Sequence, residues 1–154
     1  MKIISHRGNL EGLTPSRENS PSFIDEAIDH GYDVEVDLRI EAGLLFFGHD
    51  EPQYEINEKW LYQRRKSLWI HAKDYEAFFW LHNKGDTYQY FWHSKDEYTI
   101  ISNGLIWCHD IKNHNEKCII PLLSDKQIEE HNRIEAYGVC TDYVFKLEKK
   151  LKGE

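Results

Sequence analysis

An α/β fold is the prediction for this chain, and three observations carry it. Apolar stretches of strand length alternate with amphipathic stretches of helix length along the sequence. Several of the helical stretches open on recognisable capping residues. The composition (154 residues, 40% hydrophobic, 30% charged, 14% aromatic) is that of a folded domain, long enough to hide roughly 70% of its unfolded surface. No internal repeat, low-complexity stretch or linker is visible, so residues 1–154 are expected to form a single domain.

Taken in order, Lys2 to His6 reads as a short strand. Ser20 and Pro21 open a helix as N-cap and first helical residue. Phe23, Ile24, Ala27 and Ile28 give it one apolar face, and Gly31 closes it in the position that favours a left-handed cap. Tyr32 to Ile40 is a strand in which Val34, Val36 and Leu38 alternate with Glu35, Asp37 and Arg39. Leu44 to Gly48 returns as a second strand after the turn at Glu41-Ala42-Gly43, and Ser67 to Ala72 is another. Asp74 caps a helix from Tyr75 to about Lys84, which Gly85 ends. Tyr88 to Trp92, Thr99 to Ile101, Leu105 to Cys108 and Cys118 to Leu122 read as strands. Ser124 and Gln127 form a capping-box pair ahead of a short helix. Tyr137 to Thr141 is the last strand, and Tyr143, Val144, Leu147 and Leu151 mark a terminal helix.

Strands alternating with helices predict parallel βα units. The helices, about four, are fewer than the strands, and several strand-to-strand links are too short for a crossover helix. An eight-fold barrel typically needs about 250 residues. Any barrel here is therefore reduced, with several outer helices missing.

Charge and cysteine content narrow the function. Nineteen basic against 27 acidic residues leave a net charge of −8, which argues against nucleic acid and anionic membrane surfaces as partners. A small anionic substrate stays open, because a metal ion and a few cations reverse the local field. Arg64-Arg65-Lys66, the one dense basic cluster, is read as a solvated loop. No apolar run approaches the roughly 20 residues of a membrane span, and Met1-Lys2-Ile3-Ile4 leads straight into the first strand, so no signal peptide is expected. Three cysteines (Cys108, Cys118, Cys140) without a Cys-x-x-Cys suit reduced, inert core thiols and a cytoplasmic protein.

Glu35-Val36-Asp37 is the first site with chemical content. Alternation puts both carboxylates on one face of a strand and the valines on the other, toward helices. Two readings fit: a solvent-facing edge strand, or a pair held together by a divalent cation with oxygen ligands. His6-Arg7-Gly8 follows the first strand, where parallel α/β folds gather ligands. The histidine can move protons near neutral pH, the arginine can clamp a phosphate, and the glycine lets the backbone approach it. His49-Asp50 is either a second acid–base histidine or a loop histidine bonded to its neighbour.

Together, His6-Arg7-Gly8, Glu18-Asn19-Ser20, Glu35-x-Asp37 and His49-Asp50 resemble the glycerophosphodiester phosphodiesterase family, among the phosphatidylinositol-phospholipase-C-like phosphodiesterases. Trp69 to Lys73 and Gly138-Val139-Cys140-Thr141-Asp142 extend the resemblance more weakly. Arg17-Glu18-Asn19-Ser20 stands where that family has Pro-Glu-Asn-Thr. The resemblance implies a TIM-type barrel with its site at the C-terminal mouth, here in reduced form, and a small soluble phosphodiester as substrate. It implies Glu35 and Asp37 as ligands of magnesium or calcium, and Glu18 as a further ligand or a group beside the site. It implies Arg7 and Lys73 on the phosphate, His6 as general base and His49 as general acid. One position departs from the pattern: His71-Ala72-Lys73 puts His71 where the family has a glutamate ligand. An imidazole suits softer ions, so manganese or zinc joins magnesium and calcium as candidate metals. A binding module for a phosphorylated metabolite or glycan, without turnover, is the competing reading, and a relative with a different reaction on a sugar phosphate is a third.

Phe91-Trp92-His93 and Trp107-Cys108-His109-Asp110 end two strands. Trp92 or Trp107 is a candidate to line the substrate pocket and His93 or His109 to contact the substrate, with packing of the barrel as the alternative for these residues. Phe78, Phe79, Trp80 and Leu81 read as helix packing, with Trp80 as a candidate partner contact. A trimmed barrel leaves strand surface uncovered, which makes a homodimer an expectation.

Overall fold

A computed structural model describes residues 1–131 and 133–154. It is a mixed α/β structure built on one ten-stranded sheet. The strands are β1 (Lys2–His6), β2 (Asp33–Glu41), β3 (Leu44–Phe47), β4 (Tyr54–Ile56), β5 (Leu68–Ala72), β6 (Gln89–Phe91), β7 (Tyr98–Ile100), β8 (Ile106–Cys108), β9 (Cys118–Pro121) and β10 (Gly138–Thr141). The helices are α1 (Pro21–Asp29), α2 (Glu58–Arg64), α3 (Tyr75–His82), α4 (Asp125–Glu130) and α5 (Val144–Lys152).

Strands β6, β5, β2, β1, β10, β9 and β8 lie side by side in that order, each parallel to its neighbours. β7 adds antiparallel to β8. β2 is the hub. Its first half is bonded to β1 on one side and β5 on the other, and from Leu38 to Glu41 it pairs with β3, which carries β4.

The sheet is curled, and the side chains show why. In a flat sheet β6 and β8, six spacings apart in the order, would stand about 29 Å from each other. Instead the Phe91 and Trp107 rings stack with centroids 4.6 Å apart. Ile4, Trp69, Phe91, Ile101, Trp107, Ile119 and Cys140 form one buried cluster inside the curve. Ser102, just past β7, bridges the two edges: its N–H donates to the Tyr90 carbonyl (2.9 Å) and its Oγ accepts from the Tyr90 N–H (3.0 Å).

Helices cover the outer face. Val34, Val36, Leu38, Leu68 and Ile70 pack with Ile24 and Ala27 of α1, Leu61 of α2 and Ala77 and Leu81 of α3. Cys108, Cys118, Ile120, Leu122 and Val139 pack with Ile128 of α4 and Leu147 of α5. No helix lies between β6 and β9 among the described residues, and Trp92 and Ile100 are 45% and 78% exposed there. The three cysteines are free and buried, and no helix of the described residues is long and apolar enough to cross a membrane.

Four expectations are corrected. β2 is a central strand, so its carboxylates do not face solvent at an edge. There are five helices and an additional strand, β4, among the described residues. Arg64 is not part of a solvated loop: it ends α2, forks onto both oxygens of Asp25 and stacks 4.0 Å over the Trp60 ring. The start of α2 is set by Asn57, whose side chain accepts the Trp60 N–H. Phe79 is mostly exposed, whereas Leu81 is buried and Phe78 packs against the core.

Because Phe91 joins the two edges of the curl, Phe91→Ala should destabilise the protein by about 3–5 kcal/mol in urea unfolding. A loss below about 1 kcal/mol would show that the edges are held by something else.

Candidate metal centre

Parallel pairing brings the carboxyl ends of β1, β2 and β5 together. In register, His6 lies beside Glu35, and Asp37 beside His71. Because alternate residues share a face, Glu35, Asp37 and His71 all point inside the curl, and one ligand atom from each falls within 4.8 Å of the others. Their exposures are 2%, 0% and 8%.

Two carboxylates at that separation repel by about 3.5 kcal/mol at an effective dielectric near 20, and the surroundings treat them differently. The Asp37 carboxyl is held far below the usual carboxylate range. Burial opposes this, but the neighbouring His71, the Arg7 charge and the Asn19 amide outweigh it. Asn19 Nδ2 donates to Asp37 Oδ2 (2.9 Å) while Asn19 Oδ1 accepts the Asp37 N–H (3.0 Å). Arg7 Nε is 2.9 Å from Oδ2, and Lys73 Nζ 3.8 Å from Oδ1. Glu35 is pushed up instead, first by burial and then by Asp37.

The donor set fits a divalent cation. Glu35 Oε2 and Asp37 Oδ1 are buried carboxylate oxygens without a hydrogen-bond partner among the described residues, and such atoms are costly unless something positive meets them. His71 is oriented by a backbone carbonyl. Its Nε2 lies 3.3 Å from the His93 carbonyl, which can only accept. Its Nδ1 faces Asp37 Oδ1 (3.4 Å) and Glu35 Oε1 (3.8 Å), the side from which a cation would be held. Two carboxylates and one imidazole accept hard or borderline ions, and geometry alone leaves the ion's identity open.

The loop after β1 is bent to serve this centre. Arg7 has φ +54° and is pinned on both sides, its N–H donating to Glu35 O and its carbonyl accepting from Asn19 N–H. Gly8 follows with φ +94°, and a Cβ there would sit 2.9 Å from the Phe23 ring. Glycine is required on both counts.

His6 stands beside the centre. Its Nδ1 is 2.7 Å from Asp142 Oδ1, and its Nε2 is 3.9 Å from Glu35 Oε2. Asp142 is fully buried and also accepts from Asn9 Nδ2 (2.8 Å). Burial alone would lower the His6 pKa, but the Asp142 hydrogen bond and the Glu35 charge raise it above the ordinary value.

The other predicted residues fall at varied distances from this core. Glu18 is turned onto Arg7 (3.2 Å) and Asn9 (2.8 Å), which engage one oxygen each, and it lies outside the three-residue group. His49 follows β3, whose antiparallel return is tied to Asp37 by the Gly48 N–H and to Arg39 by the Gly48 and His49 carbonyls. Its ring, 40% exposed, bonds to Asp50 (2.8 Å). Its pKa is lowered, first by burial, with Arg7 and Lys73 adding to the effect and Asp37 opposing it. Of the pocket candidates, His93 is at the centre, stacked on His71 at 4.6 Å. Trp107 is buried in the apolar cluster inside the curl, and Trp92, 45% exposed, packs on Phe78.

Sequence reasoning gave no role to Asn9, Asn19 or Asp142, although all three lie within or next to the motifs it singled out. Comparisons of the chain with protein-family models, with curated proteins and with solved structures find no match.

The Asp142–His6 contact has a directional consequence. Asp142→Asn removes the hydrogen-bonded carboxylate that raises His6, leaving only the Glu35 charge to oppose burial and Arg7. In metal-free protein the His6 pKa, followed by NMR titration of its ring protons, should fall. An unchanged or higher value would contradict the pairing.

Proposed function

We propose that this protein is a metal-dependent phosphodiesterase of the glycerophosphodiester type, acting on a small soluble phosphodiester in a reduced TIM-type barrel. The observation that carries the reading is the buried Glu35–Asp37–His71 group with His6 beside it, its Nε2 free and its Nδ1 engaged by Asp142.

The roles follow from this placement. Glu35, Asp37 and His71 hold a divalent cation, with magnesium, calcium, manganese and zinc as candidates. When bound, the cation polarises a phosphoryl oxygen and offsets the charge of the phosphodiester. Asp142 is a positioning residue: it keeps the proton on His6 Nδ1, so the lone pair on Nε2 faces the centre. His6 takes the proton of a neighbouring substrate hydroxyl as its oxygen attacks phosphorus. His49, near enough for Asp37, Arg7 and Lys73 to shift its pKa, gives a proton to the departing alcohol oxygen as the P–O bond breaks. The product is a cyclic phosphate, which water opens with the two histidines exchanging roles. Lys73 and Arg7 supply positive charge for the non-bridging oxygens.

A second reading is favoured by one observation. The His49 ring is bonded to Asp50 rather than aimed at His6. A site without a proton donor would bind a phosphorylated metabolite and not turn it over.

One assay separates the two. Metal-stripped protein is reloaded in turn with magnesium, calcium, manganese and zinc, then offered bis-aryl phosphate and a panel of glycerophosphodiesters. The enzyme reading predicts metal-dependent release of alcohol, lowered by about two orders of magnitude or more in His6→Ala and in His49→Ala. Full rates in both variants would sink the mechanism. Metal-dependent phosphate binding without turnover would support the binding module.

A further inference from the structure

Beyond the Glu35–Asp37–His71 group, the same rim carries two imidazoles that the proposed reaction does not use. His93 follows β6 and His109 follows β8. The curl that stacks Phe91 on Trp107 sets these two histidines against each other one alternation further along, with ring centroids 4.9 Å apart. Their Nε2 atoms lie 3.4 Å from one another.

That separation has a specific meaning. Two nitrogens bound tetrahedrally to one zinc-like ion at about 2.0–2.1 Å stand about 3.3–3.4 Å apart. A hydrogen bond between two neutral imidazoles is usually shorter, near 3.0 Å. His93 Nδ1 is buried and has no hydrogen-bond partner among the described residues. The contact at His93 Nε2 is His109 Nε2 itself, so an ion entering between the rings would take one lone pair from each while His93 Nδ1 keeps the ring proton. The backbone on each side is held: the His109 N–H donates to the Glu97 carbonyl (2.7 Å), and the His93 carbonyl meets His71 Nε2 (3.3 Å). Both rings border solvent, so an ion can enter and keep open positions for water or an anionic oxygen.

We propose that His93 and His109 form a second metal position, selective for late first-row transition ions such as zinc, copper(II) or nickel, at the rim beside the carboxylate centre. The donor types give the selectivity. Two imidazoles without a carboxylate favour borderline ions and bind magnesium and calcium poorly. The carboxylate centre accepts either class. This position does not depend on the phosphodiesterase reading.

The test is the metal stoichiometry of the full chain by calorimetry, with zinc and magnesium as probes, paired with copper(II) electron paramagnetic resonance. Wild type should take two zinc ions and one magnesium ion. His109→Ala and His109→Gln should each lose one zinc equivalent and keep the magnesium site. Asp37→Asn should lose the magnesium site, keep one zinc equivalent, and show copper(II) hyperfine structure from two imidazole nitrogens. A single zinc in wild type, or two zinc ions unaltered in both His109 variants, would overturn the second position. So would loss of both zinc sites in Asp37→Asn. If Asp37→Asn instead keeps full magnesium binding while His109→Ala loses one zinc, the second position stands and the carboxylate centre fails.

Discussion

Two buried carboxylates on one central strand are the constraint that the rest of the structure answers to. Glu35 and Asp37 sit inside the curl, almost without exposure, where each would be costly if charged and unmatched. The chain surrounds one of them with more partners than the other. Asp37 receives an amide, a guanidinium, an imidazole and an ammonium group, from Asn19, Arg7, His71 and Lys73. Arg7 and Asn19 both accept left-handed backbone angles, a conformation non-glycine residues rarely adopt. That strain is tolerable only where the surrounding bonds over-determine it. Glu35 is left with a carboxylate oxygen that no protein group satisfies. Burial first and Asp37 second push Glu35 toward its neutral form, and a cation between the pair would offset both.

The curl is what lets a short chain build such a site. One apolar layer, with Trp69, Phe91 and Trp107 as its largest members, fills the inside of the sheet. His6, His71 and His93 lie one alternation beyond Ile4, Trp69 and Phe91 of that layer, and Glu35 and Asp37, paired beside Trp69 and His71, complete the polar lining. Helices α1, α2 and α3 pack on β2 and β5, which carry the carboxylates and His71, and the chain forms no helix between β6 and β9 among the described residues. The exposed Trp92 and Ile100 lie where that cover is missing.

Much of this was legible in the sequence because its causes are local. The Val34–Glu35–Val36–Asp37 alternation predicts β2 and the shared face of the carboxylates, and Asp74 and Ser124 cap α3 and α4 as their patterns predict. What the sequence could not show depends on pairing. The alternation of an edge strand and that of a central strand enclosing a polar interior look alike, and only the partners β1 and β5 decide. Asp142 reaches His6 across 136 positions, and His109 reaches His93 only because the sheet curls. Helix α2 was hidden by the Arg64-Arg65-Lys66 run, whose first member is drawn back onto Asp25 of another helix.

The most direct measurement is the anomalous diffraction of crystals of the full chain soaked in manganese at neutral pH. The account predicts one strong peak within about 2.5 Å of a Glu35 oxygen, an Asp37 oxygen and His71 Nδ1, because ligand-to-metal distances for such donors lie near 2.0–2.5 Å. An ordered site with no peak there, and Glu35 bonded to a protein group instead, would contradict it.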